Sequence, residues 1–377
     1  MRVTTAIEVQ WHGEDHTDQV TQPQQSIIIG TGTAIPEHVV TNEAMTQIMD
    51  TTDEWIRTRS GVVERRFVDP GITTSDLATQ AVAQAAADAE VLLEDVDVIV
   101  SATMTPDLVA PGISGLLQHK LGIGSRPMYD IRHQCSGFLF GLDLADALIR
   151  SGKAGTVAVV GAEVHSGYLP WSEPTWSFLR GETAIPPSPT DIARATRYRD
   201  WSVLFGDGAG AAILKATAEP DSGFKGFSLH TDGSQFDLIM VPGVGFKHRP
   251  YVDEAQLEAE LHMPTMRGRE LFRKAVRDMP RAIREVAEIT GTDLDDIDIV
   301  LAHQANARIV DGVAKDLGAD RNRVPVNIDK YGNTTAATLP ILLDDMRKDG
   351  RVKPDTLVCF TAFGAGAHWG AGLYRHR

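Results

Sequence analysis

Cysteine is scarce in this chain. Cys135 and Cys359 are the only two in 377 residues, too few for a disulfide framework, so a reducing compartment is the default. Long apolar runs are missing as well. None approaches the roughly 18 residues of a membrane span, and no basic-then-apolar segment starts at Met1. A soluble, cytoplasmic protein without a membrane partner is expected. Positive charge is in deficit, with 36 Lys and Arg against 51 Asp and Glu and a net charge of −15. A nucleic-acid surface would have to be a strong local exception, and none is expected.

Cofactor signatures are incomplete wherever they begin. Gly30 and Gly32 in SIIIGTGTAIP (26–36) lack the third glycine of a dinucleotide fingerprint, and Pro36 falls where its helix would start. FGDGAGAAIL (205–214) has alternating glycines but no G-K-[ST], so a tight turn feeding a buried strand is the better reading than a phosphate loop. His12 and His16 stand four apart without the H-E-x-x-H pattern, in a polar, Gln-rich stretch. Residues 1–25 are therefore expected to be a flexible tail, and no metal is expected.

What the chain does have is a repeated order of elements. A helix (SDLATQAVAQAAADAEVL, from Ser75) leads to an apolar strand at 95–103, and a second helix (GRELFRKAVRDMPRAIREVAEITG, from Gly268) leads to a strand at 296–304. YDIRHQCSG, a helix and GTVAVVGAEV (155–164) are matched by VNIDKYGNTT, a helix and DTLVCFTAFGAG (355–366). Apolar strands separated by helices predict an α/β fold with sheets covered on both faces. The repeat predicts two similar halves, 26–217 and 218–377, in which Cys135 and Asn333 occupy equivalent loop-to-helix corners and His303 ends a strand beside them. Residues 165–199 interrupt the first half with Trp171, Trp176 and several prolines, too irregular for a core element. Segments of that length are usually lids, binding segments or disordered.

Cys135 begins a helix that is apolar on nearly every side, from Phe138 through Ile149, as befits a buried central helix. The free N–H groups and dipole at a helix start favour a thiolate. Most free cysteines are otherwise small buried hydrophobes. A typical dipole effect of about 0.3–1 kcal/mol lowers a thiol pKa by less than one unit, and even about 2 kcal/mol brings it only to about 7. A second group is needed to complete activation.

Around Cys135, TTDEWIRTRSG (51–61), FGDGAGAA (205–212), HQANARI (303–309), YGNTTAA (331–337) and AFGAGAHWG (362–370) stand in an order and spacing that resemble the 3-oxoacyl-acyl-carrier-protein synthase III family, from Ser26 to the C-terminus. The resemblance implies a thiolase-like five-layered αβαβα fold, a homodimer and a buried active site. It also implies an acyltransferase with no cofactor beyond its substrates, acyl-CoA and malonyl-acyl-carrier protein, in fatty-acid or specialised metabolite synthesis. An acyl group passes to Cys135, and decarboxylated malonyl is joined to it with help from His303 and Asn333. The enolate oxygen left by carbon dioxide needs two donors, an imidazole N–H and an amide, which favours neutral His303. Backbone N–H groups of Cys135 and Ala365 would form the oxyanion hole. Trp55, Arg59 and Arg269 would hold coenzyme A, and Asn306 the pantetheine arm. Arg273, Lys274 and Arg308, within a basic run from Arg267 to Arg281, would meet the acidic carrier protein. Ala110 and Phe363 would line the acyl pocket.

Four departures accompany the resemblance. Trp201 follows Asp200 where the family usually has arginine, which alters how adenine would be held. Ala110 stands where phenylalanine often closes the acyl pocket across the dimer, which predicts a donor longer or bulkier than acetyl. Ala365 replaces the middle glycine of its loop. The segment 165–199 is extended, which predicts a lid or a reshaped acyl pocket. Transfer to an alcohol or amine without condensation is an alternative that would not need Asn333, and a non-catalytic partner subunit would not need the three residues together.

Overall fold

The computed structural model describes residues 25–219 and 221–377. The expected N-terminal tail, with His12 and His16, lies outside the described residues except for Gln25, which already begins a strand. The first half opens with β1 (Gln25–Ala34), α1 (Asp53–Ser60) and α2 (Thr74–Asp88). It continues with β2 (Val98–Ala102), α3 (Ile113–Leu121), β3 (Met128–Ile131), α4 (Gly137–Arg150) and β4 (Thr156–Glu163). Two helices, α5 (Glu173–Leu179) and α6 (Pro189–Arg197), precede β5 (Gly208–Thr217). The second half comprises β6 (Gly223–Thr231), α7 (Gly268–Thr290), β7 (Ile299–Ala302) and α8 (Ala307–Leu317), then α9 (Thr338–Lys348), β8 (Leu357–Gly364) and β9 (His368–Arg375).

The first sheet runs β1-β5-β4-β2-β3 and the second β7-β8-β9-β6. β2 and β4 are parallel, as are β7 and β8, and both sheets continue through two antiparallel pairings. Strands β2-β4-β5-β1 therefore match β7-β8-β9-β6 in order and direction, the duplication expected from the sequence.

Strand alternation assigns each face. Val98, Val100, Val157 and Val159 share a core with α4, α9 and, from the other sheet, Ile299, Leu301, Val358 and Phe360. Ile99, Ala158 and Val160 point the other way, under α2 and α3. Val300, Ala302, Leu357 and Cys359 lie under α7 and α8. Helices, sheet, helices, sheet and helices make the five layers of the expected fold. The Gly30–Gly32 pair is explained by this packing: a Cβ at Gly32 would sit 2.3 Å from the Ala85 nitrogen and one at Gly30 2.5 Å from the Ala85 oxygen. These glycines let α2 press onto β1.

The segment 165–199 is more regular than its sequence suggests. Pro174 and Pro189 fall in the first turns of α5 and α6, where a missing N–H leaves no hydrogen bond unmade. Trp171 and Trp176 pack edge-on against Phe67 at 5.8 and 5.5 Å. They build a satellite core with α1 and the hairpin of His38–Thr41 and Glu64–Phe67.

Candidate active site

Cys135 sits in a single 3-10 turn, Gln134–Ser136, that opens α4. Asn333 precedes the matching turn, Thr335–Ala337, that opens α9. The corners share their backbone geometry, with φ of 46° at Gln134 and 47° at Thr335. They also meet: a Cβ on Gly137 would lie 3.7 Å from that of Ala336, and one on Gly161 2.2 Å from the Ala336 oxygen. β8 brings in the third residue. The Thr361 carbonyl accepts from the His303 N–H at 2.8 Å, and three residues on, a Cβ on Gly364 would lie 3.1 Å from the Cys135 nitrogen. Cys135, His303 and Asn333 are 7%, 2% and 3% exposed.

Burial sets their protonation. It pushes the Cys135 thiol up to about 12, with the nearby Glu163 adding to the effect. The helix start was expected to favour a thiolate, and here the cost of burying that charge outweighs the dipole. Cys135 rests as a thiol. Burial presses His303 down to about 3, so its imidazole is neutral, and neither ring nitrogen has a hydrogen-bond partner among the described residues. The Asn333 Oδ1 accepts from the Thr335 N–H at 2.9 Å. A backbone N–H can only donate, so this bond fixes the amide and leaves its NH₂ as the free end. Gln304, next to His303, accepts from the Asn327 and Ile328 N–H groups, both at 3.0 Å, and so ties the histidine to the loop that leads to Asn333.

Three residues near this centre were not singled out from sequence. Glu163 ends the otherwise apolar β4, wholly buried, and accepts from the Thr105 hydroxyl at 2.6 Å and from the Thr105 and Thr103 groups at 3.1 Å. Burial raises its pKa to about 7, against the pull of these bonds. A lone charge closing an apolar strand was its signal. His165 stacks on Phe205 with ring centroids 4.2 Å apart, and Phe205 bridges to Asn333. Arg199 lies over the Trp55 ring at 4.9 Å, with Arg59 over it at 4.2 Å. Trp201, by contrast, is buried in the satellite core. Arg199, two residues before Trp201, thus places a cation against Trp55.

A cavity of about 810 Å³ opens beside the site, walled by Gln134 and Ala365 together with Met104, Val109, Tyr168 and Ile239. Val109 rather than its neighbour Ala110 faces it, and Ala110 lies on an exposed apolar loop with Leu108. Phe363 is a correction: it stacks on Trp369 at 6.3 Å within the core under α7, because strand parity turns it to the same face as Cys359. Of the extended segment, Gly167 and Tyr168 reach the cavity, while α5 and α6 pack elsewhere. Asn306 caps α8 through the Arg308 N–H at 2.8 Å and bonds the Arg59 carbonyl. Arg269, Arg273 and Arg308 are exposed and form no ion pair among the described residues. Lys274 approaches Asp232 at 3.8 Å, whereas Arg267, Arg277 and Arg281 are paired with acids.

A buried thiol, a neutral imidazole and an amide presenting its NH₂, gathered at the centre of a duplicated five-layered fold, define an acyl-transferring enzyme of the thiolase-like class. Comparison with known proteins narrows this. The profile described as 3-Oxoacyl-[acyl-carrier-protein (ACP)] synthase III matches residues 129–185 and 190–233, and its C-terminal counterpart matches 287–376. The beta-ketoacyl-[acyl-carrier-protein] synthase III of Rhizorhabdus wittichii is 38% identical over 353 residues, covering 94% of this chain and 100% of that one. That of Alkalilimnicola ehrlichii is 39% identical over 357 residues, covering 93% and 98%. The crystal structure of the Aquifex aeolicus 3-oxoacyl-[acyl-carrier-protein] synthase III superposes with a TM-score of 0.78 at 37% identity, over 93% of this chain and 100% of that one. The priming beta-ketosynthase of the R1128 polyketide pathway gives 0.79 at 28% identity, over 96% and 98%. The chain belongs to the 3-oxoacyl-[acyl-carrier-protein] synthase III family.

Proposed function

We propose that this chain takes an acyl group from coenzyme A onto Cys135 and condenses it with malonyl-acyl-carrier protein, releasing carbon dioxide and 3-oxoacyl-acyl-carrier protein. In the first half, neutral His303 takes the thiol proton as sulfur attacks the donor thioester, and the proton passes to the departing coenzyme A sulfur. In the second, loss of carbon dioxide leaves an enolate whose oxygen receives hydrogen bonds from the His303 N–H and the Asn333 amide. The enolate carbon then attacks the Cys135 thioester carbonyl, the acyl C–S bond breaks, and the departing Cys135 thiolate takes a proton from solvent by way of His303 to regenerate the thiol. The Cys135 and Ala365 N–H groups serve the tetrahedral intermediates, one such donor being worth about 3–4 kcal/mol. The orientation of Asn333 carries this reading: an amide locked with its donors free suits an enolate, and transfer without condensation has no use for it.

Trp55, with Arg59 and Arg199 against its ring, suits the coenzyme A nucleotide, and Asn306 shapes the entry for the pantetheine arm. Arg269, Arg273, Lys274 and Arg308 suit phosphate and an acidic carrier protein. The cavity's size supports a donor longer than acetyl. The exposed apolar loop 108–111 suits a homodimer contact, and no helix among the described residues is long and apolar enough to cross a membrane. A cytoplasmic enzyme fits both. No cofactor beyond the two thioester substrates is required.

Incubation with acyl-CoAs from C2 to C14, followed by intact-mass analysis and then malonyl-acyl-carrier protein, tests the reading. A mass gain absent in Cys135→Ser, and a 3-oxoacyl product, are expected. A stable acyl-enzyme that never condenses would mean transfer to another acceptor. Acetyl-CoA turning over as fast as longer donors would remove the chain-length preference.

A further inference from the structure

One side of the cavity beside Cys135 is a segment that leaves the first sheet at the end of β2. Pairing of β2 with β4 stops at Ala102 and Gly161. Beyond it, Met104, Thr105, Pro106, Asp107 and Val109 all line the cavity. The N–H groups of Met104 and Thr105 have left the ladder, and an unmet N–H is costly away from water. Glu163, the last residue of β4, receives both. Its carboxylate accepts from the Met104 N–H at 3.2 Å, the Thr105 N–H and Thr103 hydroxyl at 3.1 Å, and the Thr105 hydroxyl at 2.6 Å.

The match is chemical as well as positional. Four donors converge on Glu163, and an ionised carboxylate only accepts, with room for about four hydrogen bonds. An amide of the same shape would turn its NH₂ toward some of those donors. Glu163 is fully buried, a costly place for a carboxylate unless its hydrogen bonds are made. The Val164 N–H donates to the Thr105 hydroxyl at 2.9 Å, so the end of β4 is laced to the segment twice. From the other side α2 holds it, through the Thr74 hydroxyl on the Thr105 carbonyl at 2.5 Å and the Ser75 N–H on Asp107 at 2.9 Å. The same carboxylate acts on the Cys135 thiol, so the anchor of the wall lies close to the nucleophile.

We propose that Glu163 is a positioning residue for donor selection: it fixes the segment 104–109 as the wall against which the acyl chain on Cys135 packs, and so sets which chain lengths load. This rests on the acyl-transfer reading above and adds a residue that governs its specificity. Glu163 itself touches no substrate; it acts through Met104, Thr105 and the residues that follow them.

The test compares octanoyl-CoA with acetyl-CoA by intact mass of the acyl-enzyme, over a range of donor concentrations. It is run at pH 8, above the value of about 7 to which burial raises Glu163. Acetyl ends at its methyl group and makes little use of the wall, whereas octanoyl lies along it. In Glu163→Gln the octanoyl-to-acetyl ratio of acylation efficiency should fall by about tenfold or more, the scale of one or two good hydrogen bonds. The fall should come chiefly from a higher octanoyl-CoA concentration at half-maximal rate. Altered Cys135 reactivity or a loss of folded enzyme acts on both donors alike and leaves the ratio unmoved. Thr103→Val removes one donor to the carboxylate from outside the cavity lining, and should shift the ratio the same way to a smaller extent. It decides the matter if Glu163→Gln does not fold. An unchanged ratio in the folded variant would leave Glu163 a purely structural residue and overturn the inference. A parent that loads acetyl but no longer donor would overturn it too, with condensation left standing. Failure of every donor to acylate Cys135 in the parent would instead strike the proposed function, and the inference with it.

Discussion

The amide of Asn333 has two chemically different ends, and the Thr335 N–H decides which of them is free. At the residue scale this counts for more than the identity of the side chain, since a rotated amide would aim an acceptor at a developing negative charge. The same scale shows why helix position alone does not activate Cys135, as the size of the dipole effect had implied. A dipole contributes at most about 2 kcal/mol in partly buried sites, while burial and Glu163 move the thiol the other way, to about 12. Activation must therefore come with substrate bound, through His303. Asn333→Ala should leave acylation of Cys135 within a few-fold of the parent while condensation falls by about 10²–10³, the usual loss for one stabilising donor. Acyl-enzyme mass and 3-oxoacyl product, measured on the same sample, separate the two. Equal losses in both would assign Asn333 to structure rather than to the enolate.

Among elements, the corner between β4 and α9 is built with the least room to spare. Gly161 lies under the turn that carries Asn333 into α9, with the Ala336 oxygen where a Cβ would go, at 2.2 Å. Gly161→Ala forces that turn outward. It should cost on the order of 2–3 kcal/mol, as overpacking does, and reduce condensation more than acylation, because the displaced corner holds Asn333. Urea midpoints together with the two half-reactions test this, and an unchanged midpoint would show that the corner yields freely. Much at this scale was legible in the sequence. The strands read as continuous apolar runs because both faces are covered, and the repeated order of elements gave the pseudosymmetric placing of Cys135 and Asn333. Phe363 was legible too, since parity with Cys359 places it in the outer core, and a reading by motif alone sent it to the acyl pocket. α5 and α6 were hidden by their prolines, whose first-turn positions are visible only once the helix starts are known. The cavity wall was not legible, because Gln134, Tyr168 and His262 come from three loops that no periodicity relates.

Across the whole molecule, buried histidines and buried acids oppose one another as pH changes. His303 and His165 are each pressed by burial from about 6.5 to about 3. As pH falls below about 6.5 the unfolded chain takes up protons that the folded chain refuses, so stability is lost from there down to about 3. Glu163 and Asp207 are raised by burial, to about 7 and about 6. Between those values and the ordinary carboxylate range the folded chain holds protons that the unfolded chain has released, so stability is gained as pH falls through that window. The two pairs offset each other between roughly pH 6.5 and 4.5, and below that the histidines are joined by ion-paired carboxylates such as Asp76 and Asp88, whose pKa values are held below the ordinary range. His165→Phe keeps the flat stack on Phe205 and removes one of the refusing groups. Relative to the parent, the variant should gain about 1.4 kcal/mol per pH unit as pH is lowered from about 6 toward 4, the slope set by one proton. Urea unfolding of both proteins at pH 7, 6, 5 and 4 reads this as a widening gap between midpoints. Parallel curves would mean that His165 titrates in the folded chain much as it does in the unfolded one, and that the fold tolerates its charge.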